Sequence, residues 1–196
     1  MRLIPKLLPA PLALALALFG ASAGADWSLV PEDSSLGFVS VKNARIAEGH
    51  TFEALSGRIS DDGAELVIDL ASVDTLIPIR NERMRELLFE VASFPTATFR
   101  TAIDLEAMED LPVGESRRMD VSGELALHGE VQPLTVTLLV SRTAPDRVGV
   151  ATIRPIVISA DAFALGGGVA RLREVAGLDS ITPMVPVSFS LSFAAD

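Results

Sequence analysis

Apolar and polar residues alternate along most of the chain. Between Met119 and Leu127 the odd-numbered positions are mostly apolar and the even-numbered ones polar or small. A period of two puts one face of a strand in a dry interior and the other in water. The pattern predicts strands at Trp27 to Val30, Leu36 to Val41, Thr51 to Ile59, Glu65 to Leu70, Ala97 to Leu105, Met119 to Leu127, Leu134 to Arg142, Val148 to Ile158 and Val185 to Phe193.

One segment changes period. Met84, Leu87, Leu88 and Val91 follow the i, i+3, i+4, i+7 spacing of an amphipathic helix, and Asn81 is a suitable N-cap before them. Phe94 precedes Pro95, which disfavours helical geometry at Phe94, so the helix is expected to end near Val91 to Ser93.

These elements predict an all-β protein of about eight strands with short turns. A meander of this kind forms a sandwich or a barrel, and we favour a closed antiparallel barrel because closure removes exposed strand edges. Two long segments interrupt the strands, Ser72 to Pro95 and Ala162 to Pro183, and the second contains a short helix at Val169 to Ala176. They either line a binding site or merely cover the ends of the core.

The first 25 residues have the three parts of a secretory signal peptide. Arg2 and Lys6 precede a Leu- and Ala-rich run, and small residues lead up to Asp26. We therefore expect cleavage after residue 25, a single mature domain over residues 26–196, and a periplasmic location.

Charge argues against a nucleic-acid partner. The whole chain has 16 Lys+Arg and 26 Asp+Glu, and only Arg2 and Lys6 are lost with the signal peptide, which leaves a net charge of −12. Phosphate backbones are bound mainly by Lys and Arg. The chain has no cysteine, so disulfides cannot support the fold.

Groups for catalysis or metal binding are sparse. His50 and His128 are the only histidines, and neither has a partner at metal-ligand spacing. We expect His50 to be exposed in a turn and His128 to make a structural hydrogen bond. No Gly-x-Ser-x-Gly motif is present. The sequence therefore predicts no metal site, no cofactor and no enzyme activity.

An apolar interior remains as the candidate site. Its phenylalanines and leucines fit core packing as well as ligand contact, and both interpretations stay open. The candidate pocket residues are Phe38, Phe52, Leu87, Phe89, Phe94, Phe99, Leu125, Leu127, Leu138 and Phe189.

Several short motifs, in this order and spacing, resemble the YceI-like, polyisoprenoid-binding family. The similarity spans nearly the whole mature chain. The motifs are Trp27-Ser28-Leu29-Val30-Pro31 with Ser34, Ser35 and Phe38, the region from Phe52 to Gly57, Asp74 to Arg80, Phe89 to Phe99, Gly123 to Gly129, and Gln132-Pro133-Leu134.

This resemblance implies an exported, lipocalin-like barrel that binds an amphiphile, such as a polyprenyl chain, a quinone or a fatty-acid derivative. The alternative is a solid-cored accessory or stress-response protein that acts through its surface, for example with a membrane-bound cytochrome. The resemblance also makes a homodimer reasonable.

Overall fold

The computed structural model describes residues 26–196, so the expected signal peptide lies outside the described residues. These described residues form twelve strands and three short α-helices. The strands are β1 Trp27–Leu29, β2 Ser35–Lys42, β3 Ile46–Phe52, β4 Leu55–Ser60, β5 Gly63–Asp69, β6 Val73–Asp74, β7 Thr96–Thr101, β8 Ser116–Leu127, β9 Glu130–Ala144, β10 Arg147–Thr152, β11 Ile156–Ser159 and β12 Met184–Ala195. The helices are α1 Pro78–Arg83, α2 Leu105–Glu109 and α3 Gly166–Val175.

These strands close an eight-stranded antiparallel barrel, as predicted. All pairings between named strands are antiparallel, and β1 pairs with both β4 and β12, which joins the two ends of the sheet. Four strands of the barrel are each built from two segments. β1 and β2 are parts of one strand, because both pair with β12, and β10 and β11 are parts of another for the same reason. β3 and β4 form the third and β5 and β6 the fourth, because β4 pairs with β5 and β3 pairs with β6.

Two predicted strands are broken in the structure. The expected strand Thr51 to Ile59 is split between β3 and β4 because the chain turns at Glu53 and Ala54, where the Ala54 N–H donates to Ser72 Oγ at 3.0 Å. The expected strand Val148 to Ile158 is split by residues 153–155, which include Pro155. Proline has no N–H for the strand ladder, so it favours such a break.

The helical segment begins earlier than predicted. Pro78 stands at the first turn of α1, and Asn81 lies within that helix, so it is not the N-cap. A π-helical turn, Met84–Leu88, follows directly. Two further differences concern helices. α2 begins at Leu105, the last residue of a predicted strand, and α3 begins at Gly166, three residues before the predicted helix Val169 to Ala176.

The buried core extends from one end of the barrel to the other. Trp27 and Val148 are completely buried near one end, and Leu70 and Val73 near the other. Among residues 26–196, no helix is both long enough and apolar enough to cross a bilayer.

Candidate ligand-binding cavity

The barrel interior contains an apolar cavity of about 180 Å³, which we call the upper cavity. All 23 side chains that line it are apolar. They come from inward-facing strand positions, such as Leu125 and Leu127 of β8 and Val187 and Phe189 of β12, and from the helical segments. An apolar space of this size excludes water, because water there has no hydrogen-bonding partners.

Three phenylalanines form a continuous aromatic row along this cavity. The ring centroids of Phe38 and Phe52 are 5.4 Å apart, and those of Phe52 and Phe89 are 5.8 Å apart. These distances lie in the range of favourable tilted ring pairs. The row connects two barrel strands to the helical segment, so it positions that segment over the cavity.

The π-turn and α3 together form what we call the helical cover. The Phe89 N–H donates to the Met84 carbonyl at 2.9 Å, a bond that spans five residues instead of four. This wider turn shifts the helical phase and directs Leu88 and Phe89 to the cavity. Leu165 and Val169 line it from the side of α3.

Close backbone approach joins the two parts of the cover. A Cβ on Gly168 would lie 2.7 Å from the Leu87 carbonyl oxygen and 2.8 Å from Leu88 Cα, so only glycine fits there. The Arg171 guanidinium donates to the same Leu87 oxygen at 2.8 Å and pairs with Glu90. Arg171 therefore satisfies a carbonyl at the π-turn.

Eight of the ten candidate pocket residues line the upper cavity. Leu87 and Phe94 do not. The π-turn places Leu88 there in place of Leu87, and the Phe94 ring instead packs against His128 with centroids 4.4 Å apart. Ligand contact by any of the ten stays a prediction. The eight are Phe38, Phe52, Phe89, Phe99, Leu125, Leu127, Leu138 and Phe189.

Several wall residues were missing from the sequence prediction. The alternation within the predicted strands was sufficient to place six of them in the list of pocket candidates. They are Leu36, Leu66, Ile156, Ile158, Val185 and Val187. Leu165 and Val169 carried no such signal, because their place depends on how α3 packs against the π-turn.

A polar cluster lies beside the aromatic row, at the Phe38 end. His50 is buried, against our expectation, because the segment before Thr51 belongs to β3. Its ring packs on Phe38 at 5.1 Å, and its Nε2 is 2.8 Å from Ser40 Oγ. Burial, and then the nearby Arg80 guanidinium, lower the pKa of His50.

Glu48 connects the cations of this cluster. Its Oε2 is 2.7 Å from Lys42 Nζ and 2.9 Å from an Arg80 guanidinium nitrogen. The hydrogen bond from Lys42 is the main reason why the pKa of Glu48 is lowered. Arg80 also donates to the Thr75 carbonyl at 2.6 Å, which links the cluster to the start of α1.

Asn81 organises the loop before α1. Its Oδ1 accepts from the Thr75 N–H at 2.8 Å, and its Nδ2 donates to Asp74 Oδ1 at 2.9 Å. The bond from Asn81 is the largest cause of the lowered pKa of Asp74. Asn81 thus acts as a clamp across the loop that leads from β6 to the helical cover.

His128 differs from its predicted role. Both of its ring nitrogens are buried and make no hydrogen bond to the described residues, although Nε2 lies 3.6 Å from Glu90 Oε2. Within residues 26–196, no three His, Cys, Asp or Glu side chains come together as metal ligands.

A smaller space of about 90 Å³, the lower cavity, lies in the other half of the barrel. Ile59, Val140, Leu191 and Phe193 contribute to its wall, and Met108 of α2 closes it. These five side chains are at most 5% exposed.

A closed antiparallel barrel with an apolar interior defines the class of lipocalin-like barrels. The family model of the YceI-like domain matches residues 27–193. The chain therefore belongs to the YceI-like family, as the sequence motifs predicted.

One solved structure supports this assignment, and others share the fold. A polyisoprenoid-binding domain from Saccharophagus degradans, implicated in plant cell wall breakdown, is 43% identical, with 87% of this chain and 98% of that chain covered and a TM-score of 0.85. BcnA from Burkholderia cenocepacia is 20% identical, with coverages of 84% and 98% and a TM-score of 0.66.

The Campylobacter jejuni YCEI protein is 15% identical, with coverages of 80% and 90% and a TM-score of 0.57. Like BcnA, it supports the fold alone. No curated protein sequence matched the chain significantly.

Proposed function

We propose that this protein is an exported, periplasmic binding protein that carries or stores an isoprenoid-type amphiphile in the upper cavity. The observation that carries this proposal is the cavity inside the barrel, whose wall is entirely apolar. The 43% identical domain from Saccharophagus degradans, a polyisoprenoid-binding domain, supports an isoprenoid chain as the ligand.

The wall chemistry fits a prenyl tail. Burial of roughly 400 Å² of hydrocarbon gains about 10 kcal/mol, and ordering the chain consumes several kcal/mol of that gain. The remainder corresponds to micromolar or tighter binding. Because no polar group lines the cavity, recognition there depends on the shape and length of the tail, and a quinone or other polar head group remains outside the apolar wall.

Mass spectrometry of an organic extract from gently purified protein tests the proposal. We expect a co-purifying prenyl lipid or quinone, and recovery of binding when such a compound is added to stripped protein. Leu127→Trp fills part of the cavity and should weaken binding at least tenfold. Leu139→Trp, on the exposed side of neighbouring β9, is the matched control and should bind normally.

No co-purifying amphiphile, together with no binding of added prenyl compounds, would overturn this function. Export is tested separately by the mass of the protein recovered from the periplasm, which should correspond to a chain beginning at Asp26.

The solid-cored alternative fits the interior less well, because the upper cavity is unfilled by side chains. A membrane-bound cytochrome partner and a homodimer stay predictions of the family resemblance. Sedimentation velocity of the ligand-free and ligand-bound protein tests the dimer.

A further inference from the structure

The upper and lower cavities share part of their walls. Leu66, Phe99, Leu138 and Phe189 line both spaces. These residues belong to β5, β7, β9 and β12, so they reach the interior from four different strands of the barrel. A single layer of side chains therefore separates the cavities, and we call it the partition.

Phe99 and Phe189 supply the two rings of the partition. Phe99 lies against Gly123 of β8, where an added Cβ would be 2.8 Å from Phe99 Cζ. This glycine leaves room for the ring beside the barrel wall. Both rings remain half-buried, in contrast to the buried cluster on which they pack. That cluster consists of Val121, Val136 and Leu138.

The partition stands between the upper cavity and the lower cavity. The lower cavity adds half as much space again, about 90 Å³ beside about 180 Å³. Its wall is mainly apolar, although Glu65, Thr101 and Asp104 also contribute. Removal of one ring would thus join two spaces that can both receive hydrocarbon.

Given the lipid-binding function proposed above, we propose that Phe99 and Phe189 set the length of prenyl tail that the barrel takes up. A tail in the upper cavity ends against these rings. Each isoprene unit buried before that point increases affinity, because about five more carbons leave water. Isoprene units beyond that point stay outside the cavity and add little to the affinity.

A series of ligands with one head group and a rising number of isoprene units tests this proposal. We would use ubiquinone analogues and measure dissociation constants for stripped wild-type protein and for Phe99→Ala and Phe189→Ala. Wild-type affinity should rise at least about tenfold per unit and then level off. In either alanine variant, the plateau should move to a longer tail by at least one unit.

Two further variants separate an opened partition from a merely looser core. Met119→Ala enlarges the lower cavity and leaves both rings in place, so the wild-type plateau should remain. Val150→Phe, combined with Phe99→Ala, fills the space behind the missing ring and should restore that plateau. Phe99→Leu and Phe189→Leu are milder substitutes if an alanine variant does not fold.

Xenon binding in crystals provides a readout that needs no lipid. Wild-type crystals should show separate xenon sites in the two cavities, and Phe99→Ala should show a site in the partition between them. Xenon at the partition of the wild-type protein would overturn the proposal.

The possible failures can be told apart. Failure of wild type to bind any member of the series would overturn the proposed function and this inference with it. Binding with the same plateau in wild type and in the ring variants would overturn the role of Phe99 and Phe189 alone.

Discussion

The two halves of the barrel interior follow the same alternation of side chains but differ in how completely they are packed. Around the lower cavity, Phe193 and Leu191 are each 4% exposed, whereas Phe52 and Leu127 at the upper cavity are half-buried. The lower end also contains Trp27, with the Arg142 guanidinium 4.9 Å from its ring centroid. Large buried side chains therefore leave less empty space at that end.

The upper end is covered in a different way. There the π-turn and α3 pack on one another through Gly168, so they cross the opening without filling the space beneath them. Alternation thus decides which side chains face inward. The volume of those side chains and the way each end is covered decide whether a cavity remains.

The largest expected effect on stability comes from replacing a phenylalanine by alanine at each end of the barrel. Phe193→Ala should lower the free energy of unfolding by about 3–5 kcal/mol, because it leaves a cavity in a closely packed core. Phe52→Ala should cost about 1–2 kcal/mol, since this side chain is only partly buried and already borders a cavity. Urea unfolding of both variants measures the difference, and equal losses would show that the two ends are packed alike.

The second-largest loss of stability is expected when the contact within the helical cover is disturbed. Gly168→Ala should cost about 1–3 kcal/mol, because its Cβ meets the backbone of the π-turn. Gly167→Ala is the matched control, since nothing lies within 4 Å of its Cβ, and it should stabilise the protein by up to about 1 kcal/mol. Thermal unfolding compares the two variants.

If Gly168→Ala matched Gly167→Ala in stability, close approach of α3 to the π-turn would be disproved. We also expect Gly168→Ala to release a bound prenyl lipid faster, which stopped-flow displacement would measure.

A smaller effect is expected at Arg171. Arg171→Met removes the hydrogen bonds to the Leu87 carbonyl and the ion pair with Glu90. The side chain is half-exposed, so the loss should be about 1 kcal/mol. Glu90→Gln keeps the bonds to Leu87 and should lose less. Equal losses in the two variants would assign the whole effect to the ion pair.

The smallest expected effect is a pH dependence at the upper end. Because the folded state lowers the pKa of His50, the unfolded chain binds the proton more readily, and stability should fall as pH drops below about 6.5. His50→Gln should reduce this slope between pH 7.5 and 5.5, where Glu48 and Asp74 stay ionised. The slope for one proton is at most about 1.4 kcal/mol per pH unit.

Urea unfolding at several pH values checks this prediction. An unchanged slope in His50→Gln would assign the acid sensitivity to other groups, and the lowered pKa values of Glu48 and Asp74 place their own contribution at more acidic pH.

The local alternation of apolar and polar residues was sufficient to predict most of the fold. Alternation in β8 and β12 predicted which residues face inward, because a strand's period of two is a property of the backbone. The family motifs then identified the barrel. The same local reasoning could not detect β3 before Thr51, since the pairing of His50 opposite Phe38 depends on the hairpin with β2.

The helical cover shows where local reasoning fails. Leu87 satisfied the helical period, but the π-turn shifts the phase and places Leu88 and Phe89 at the cavity. Asn81 was a suitable cap by residue type, yet its side chain clamps Thr75 and Asp74. Both outcomes depend on packing against distant segments, in particular α3.

The amino-acid sequence by itself determined the family, the antiparallel barrel and most of the inward-facing residues, because these follow from local periodicity and ordered motifs. Only the tertiary structure decided that the interior contains two cavities, with Phe99 and Phe189 between them. Side chains from four strands meet there, and the volume that they leave empty depends on the packing of residues far apart in the chain.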